Sequence, residues 1–142
     1  MINNQNKVYL FVHIIWTVNN RQPLLGKPIR LVLFPWMQKQ AEEKGMKVLA
    51  VNGVEDHVHC LVQMHPTQNL SQLIKSLKGD SAQWINENKL LGETFEWQEN
   101  YAAYSVSPSG LKQVLDYIQK QEEHHKTKTL ESELEVFDKV QL

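Results

Sequence analysis

The chain has 142 residues, of which 42% are hydrophobic and 22% charged, proportions that fit one compact domain and leave too little chain for two of ordinary size. A domain of this length buries roughly 68–70% of the surface its unfolded chain exposes, so it is stable without disulfides or a structural metal, and the single cysteine, Cys60, excludes a disulfide framework and fits a reducing, cytoplasmic setting. Fifteen Lys plus Arg against sixteen Asp plus Glu give a formal charge of −1, so no global positive field draws a polyanion and any nucleic-acid contact must use local basic groups.

The opening stretch Met1 to Lys7 lacks a basic start followed by an apolar run, and no run in the chain approaches about 18 apolar residues. Neither a secretion signal nor a membrane span is expected. Lys7 to Thr17 (KVYLFVHIIWT) is almost wholly apolar and rich in β-branched and aromatic residues, the pattern of a central strand covered on both faces. Pro28 suits the first turn of a helix running towards Gly45, which Pro35 is expected to kink or split. Met46 to Asn52 and His57 to Met64 read as two strands of a hairpin turned over Gly53 to Asp56. Asn69, with Gln72 three residues on, can cap a helix whose Leu70, Leu73, Ile74, Leu77, Trp84 and Ile85 recur at helical spacing. Tyr101 to Val106 reads as a fourth strand, and Ser107-Pro108 opens a helix with Leu111, Val114, Leu115 and Ile118 on one stripe. After about Thr127, the acidic amphipathic segment Leu130 to Phe137 can form a short docking helix, with no role legible in it.

The order β-α-β-β-α-β followed by a helix predicts an α+β, ferredoxin-like fold, an antiparallel sheet with helices on one face. A single domain is expected over residues 1–142, with its core at about 7–126 and a tail or docking helix over 127–142.

Two segments carry chemistry. In the strand His57 to Met64 alternate residues share a face, so Val58, Cys60, Val62 and Met64 point to the core while His57 and His59 project together from the other side. Two imidazoles so placed can hold one metal ion, although a bare His-x-His also occurs as packed or surface histidines. His13 interrupts an apolar strand and reads as a packed or hydrogen-bonded residue. On the last long helix, at about 100° per residue, Gln121 and His124 lie close to the direction of Tyr117, about a quarter-turn from the apolar stripe. A phenol at the core edge with an amide one turn later can act as a nucleophile beside a metal, or can simply pack there.

Taken together, the segments Val12 to Thr17 with Asn20-Arg21, Gly53 to Val62, Ser76 to Ser81, Trp97 to Tyr101, Ser105 to Ser107 and Tyr117 to His125 resemble the single-tyrosine transposases of the HUH nuclease class, the TnpA-type enzymes of small insertion sequences. The resemblance runs from the first strand to about Lys126. It implies a DNA transposase that cuts and rejoins single-stranded DNA. By residue match, His57 and His59 are the histidines of the HUH motif, Tyr117 is the nucleophile and Gln121 the third metal ligand. Asp56 is a weaker candidate, placed to orient a histidine by accepting its hydrogen bond. Glu55 stands where relatives often have proline, which alters the turn into the strand and no required group. The resemblance also implies a homodimer in which the tyrosine helix of one subunit is able to complete the active site of the other.

Such a site takes Mg²⁺ or Mn²⁺ as its divalent cofactor and folded DNA, such as hairpins, as its partner. Arg21, Lys75, Lys78, Lys112 and Lys120 are candidate contacts to the DNA backbone, joined by Lys27, Arg30 and Lys126. Two other functions compete: a zinc-dependent hydrolase or metal-binding protein built on His57, His59, His124 and His125, and a noncatalytic nucleic-acid-binding module, which the strands' lack of an exposed aromatic platform disfavours.

Overall fold

A computed structural model describes residues 6–126 and 128–139; the expectation for Met1 to Gln5, and the outermost part of the expected tail, lie outside the described residues. The elements are β1 (Leu10–Thr17), α1 (Lys27–Glu43), β2 (Lys47–Gly53), β3 (His57–Met64), α2 (Leu70–Glu87), β4 (Ala102–Val106), α3 (Leu111–Gln119), α4 (Gln121–His124) and α5 (Leu130–Phe137). Four strands form one antiparallel sheet in the order β2-β3-β1-β4. This is the α+β, ferredoxin-like arrangement. Among the described residues no helix is long and apolar enough to cross a membrane.

Strand alternation gives the sheet two different faces. Ile14 and Trp16 of β1 and Val58, Cys60, Val62 and Met64 of β3 join Leu33, Phe34 and Met37 of α1 and Leu73, Ile74 and Leu77 of α2 in the main core. The opposite face carries a smaller cluster, in which Phe11, Ala50 and Leu61 pack on Ile118 of α3. His13, His57 and His59 lie on that second face, fully enclosed at 1%, 1% and 0% exposure. Helices therefore cover both faces: α1 and α2 the main core, α3 to α5 the histidines.

Local chemistry explains most boundaries. The Asn69 side chain accepts a hydrogen bond from the Gln72 backbone N–H and so caps α2. The turn into β3 is tight because a Cβ on Gly53 would lie 2.2 Å from the His57 carbonyl oxygen, and the Val54 N–H donates to that same oxygen at 3.1 Å. Pro35 was expected to kink or split the first helix, yet α1 is one element. Both Pro35 and Leu31, whose carbonyl the missing N–H would have met, are exposed, so water can satisfy that carbonyl while Leu33, Phe34, Met37 and Ala41 anchor the other side.

Candidate active site and metal centre

The sheet supplies two histidines already aimed. His57 Nδ1 lies 2.8 Å from Asp56 Oδ1, and His59 Nδ1 lies 2.8 Å from Nε2 of His13 on the neighbouring strand. Each ring thus has one nitrogen engaged, which fixes its orientation and turns its Nε2 towards α3 to α5. The two ring centroids are 5.2 Å apart.

The helical side approaches from the same chain. The helix expected to run unbroken to His125 is interrupted at Lys120 (φ −102°, ψ 25°), whose N–H is shared between the Asp116 and Tyr117 carbonyls. The Gln121 amide instead reaches the Tyr117 carbonyl with its side-chain nitrogen, at 3.4 Å. Gln121 is wholly buried and its Oε1 has no hydrogen-bond partner. Tyr117 stands beside His59 and His13, with ring centroids 5.7 and 6.3 Å away, and its buried hydroxyl has no hydrogen-bond partner. The structure therefore brings His57, His59, Tyr117 and Gln121 together within one chain. His124 lies tilted against Tyr117, with ring centroids 4.4 Å apart and planes at 35°, and the ligand atoms that converge are those of His57, His59, His125 and Glu133 rather than the four imidazoles considered for a zinc site; His125 approaches His57, Nε2 to Nε2 at 3.1 Å.

One member of the site was missed by the sequence. Glu133 of α5 is 3% exposed and places Oε1 3.5 Å from His57 Nε2 and Oε2 3.6 Å from His59 Nε2, with His125 also in contact. The available signal was a carboxylate in register with an apolar stripe, since Leu130, Leu134 and Phe137 stand three back, one on and four on from it. One ligand atom from each of His57, His59, His125 and Glu133 falls within 4.8 Å of the others. His59 Nε2, Gln121 Oε1 and Glu133 Oε1, all buried, make no hydrogen bond. Buried polar atoms are seldom left without partners, and imidazole nitrogens, an amide oxygen and a carboxylate are donors for a divalent cation. The residues present fit such an ion.

Electrostatics follow from burial and this crowding. Burial, with His59 adding to it, pushes His13 down to about 3, and burial together with His57 and His59 takes His125 down to about 4. Burial also lowers His59, against the pull of Glu133. On His57 burial is outweighed by Asp56 and Glu133, and its pKa rises. Burial raises Glu133 less than His57 and His59 lower it, so its carboxylate stays in the ionised form.

The candidate DNA-contacting cations fall into two groups. Lys75, Lys112 and Lys120 are exposed. Lys78 instead donates its ammonium to the carbonyls of Gln98, Glu99 and Asn100, at 2.6, 3.0 and 3.3 Å, and Arg21 pairs with Asp56 at 3.2 Å and with Glu131 of α5.

With that fold and site in view, the chain belongs to the family of IS200-like transposases, which its residues 6–121 match. Members of that family cut and transfer DNA. The chain is 30% identical over 115 residues to the ISDra2 transposase TnpA of Deinococcus radiodurans, covering 77% of this chain and 81% of that protein. A crystal structure of a Deinococcus radiodurans R1 protein assigned as a transposase superposes with a TM-score of 0.66 at 25% identity, over 85% of this chain and 98% of that one. The structure of a REP-associated tyrosine transposase bound to a REP hairpin shares the fold, with a TM-score of 0.61 at 13% identity over 87% of this chain and 74% of that one.

Proposed function

We propose that the protein cleaves and rejoins single-stranded DNA by transesterification through Tyr117, in the transposition of an insertion sequence. The observation that carries this is the Tyr117 hydroxyl, buried without a hydrogen-bond partner, standing beside histidine and glutamine atoms that are likewise unpartnered. His57, His59 and Gln121 would hold Mg²⁺ or Mn²⁺, which when bound neutralises charge growing on the scissile phosphate. Nitrogen donors favour Mn²⁺ of the two.

The phenol oxygen attacks phosphorus, the bond from phosphorus to the 3′ oxygen breaks, and the phenolic proton is lost as the departing oxygen becomes a 3′-hydroxyl. The result is a 5′-phosphotyrosine, still a diester. A second 3′-hydroxyl reverses the step on another strand and needs no nucleotide cofactor. Asp56 orients His57 throughout. Hairpin DNA is the proposed partner, since the formal charge of −1 supplies no general attraction and recognition rests on local cations such as Lys75, Lys112 and Lys120. A homodimer in the cytoplasm belongs to the same proposal; whether Tyr117 serves its own chain or its partner's is decided by mixing His57→Ala with Tyr117→Phe.

The test is labelled hairpin DNA incubated with Mn²⁺ and resolved on a denaturing gel. Wild type gives a covalent protein–DNA adduct and Tyr117→Phe gives none. Cleavage by both without an adduct would point to activated water and overturn the tyrosine.

A further inference from the structure

Resting on the metal site just proposed, we infer that Glu133 is an additional ligand of the same ion, and that through it α5 holds the active site shut against DNA. The Glu133 carboxylate is enclosed: His57, His59 and His125 surround it, the Gln121 side-chain N–H donates to its Oε2 at 3.4 Å, and its Oε1 makes no hydrogen bond. A buried carboxylate with so few donors is poorly tolerated unless a cation joins it. Two imidazoles and one carboxylate converging on a point are a recurring donor set for zinc, manganese and iron.

The rest of α5 is built to keep that carboxylate in place. Leu130 is buried, and it and Leu134 border the cleft beside Ile15, Thr17 and Tyr101. Phe137 stands edge-on to Tyr117 and to His13, with centroids 5.6 and 5.1 Å away. Each end is latched to a different strand region: Glu131 to Arg21, and Asp138 to the Tyr104 hydroxyl at 2.5 Å. Coordination positions are few, and the one nearest the nucleophile must accept a phosphate oxygen during cleavage. Glu133 stands against the Nε2 atoms of the histidine pair while Phe137 walls the phenol. DNA cleavage then requires the carboxylate to leave and α5 to lift.

The experiment titrates Mn²⁺ alone into wild type, Glu133→Gln and Leu130→Asp, each checked for native circular dichroism, and then measures adduct formation with hairpin DNA. Glu133→Gln keeps the shape of the side chain and removes its charge; Leu130→Asp detaches α5 with Glu133 intact. Both are expected to bind Mn²⁺ about tenfold or more weakly, and both to form the DNA adduct severalfold faster at saturating Mn²⁺. Equal Mn²⁺ affinity in wild type and Glu133→Gln overturns the ligand assignment, and weaker affinity without faster adduct formation overturns the closure. If no protein forms an adduct, the transposase reading fails, and the affinity ratio still decides whether Glu133 binds metal.

Discussion

At the residue scale the site depends on hydrogen bonds that settle which ring nitrogen is free. For His59 to present a lone pair at Nε2, its Nδ1 must carry the proton and donate to Nε2 of His13, 2.8 Å away. His13 is suited to accept because burial, seconded by His59, takes its pKa down to about 3, so the ring is neutral over the whole physiological range. His13→Phe should therefore keep the packing, lose the acceptor and weaken Mn²⁺ binding by about 10–100-fold, as read by titration. His13→Gln, whose amide oxygen can accept the same bond, should recover most of it. Equal affinity in the Phe variant would make His13 a space-filler. The sequence placed His57 and His59 on a common side because strand alternation is a local rule. It read His13 as a packed or hydrogen-bonded residue without naming the partner, because the register that sets it diagonal to His59 comes from pairing β1 with β3, which no local pattern encodes.

At the element scale the predicted order survives, and the differences are at joints. Strand β1 begins at Leu10 rather than Lys7, β3 spans the expected residues, and the last long helix breaks at Lys120. Propensity gives no warning of that break, since Lys and Gln are good helix formers; it accompanies the burial of Gln121, a tertiary effect. α5 was legible as an amphipathic helix, but the partner of its one buried carboxylate was not, since those histidines sit on a strand far away in sequence. Lys78 teaches the same lesson from the other side. Its position beside the apolar stripe of α2 suited a phosphate contact, yet its ammonium ties down the loop that carries Gln98, whose N–H in turn bonds Thr17 at the end of β1. Lys78→Met should cost about 1.5–3 kcal/mol of unfolding free energy in urea, the range for hydrogen bonds to charged groups. An unchanged midpoint with weaker DNA binding would return Lys78 to the DNA-contacting set.

At the scale of the whole molecule the question is whose tyrosine serves whose histidines. The contacts of α3 answer for the single chain. Ile118 is fully buried against Phe11, Ala50 and Leu61, and the Asn52 side chain donates to the carbonyls of Ile118 and Gln119 at 2.8 and 3.2 Å. Carrying Tyr117 to a partner subunit must first break these contacts, and a reciprocal exchange re-forms them on the partner's identical sheet, so burial of Ile118 is equal in both arrangements. The arrangement seen within one chain is the expected one. Mixing His57→Ala with Tyr117→Phe tests it, because each protein keeps the half that the other lacks. If the tyrosine acts within its own chain, the mixture forms no more adduct with hairpin DNA and Mn²⁺ than either protein alone. If tyrosines are exchanged, randomly reassorted dimers regain roughly a quarter of wild-type sites, since half the dimers are mixed and one of the two sites in each is intact. Restoration near that level would show that α3 packs Ile118 on the partner's sheet in the active dimer, and that its position within the single chain differs from its position during cleavage.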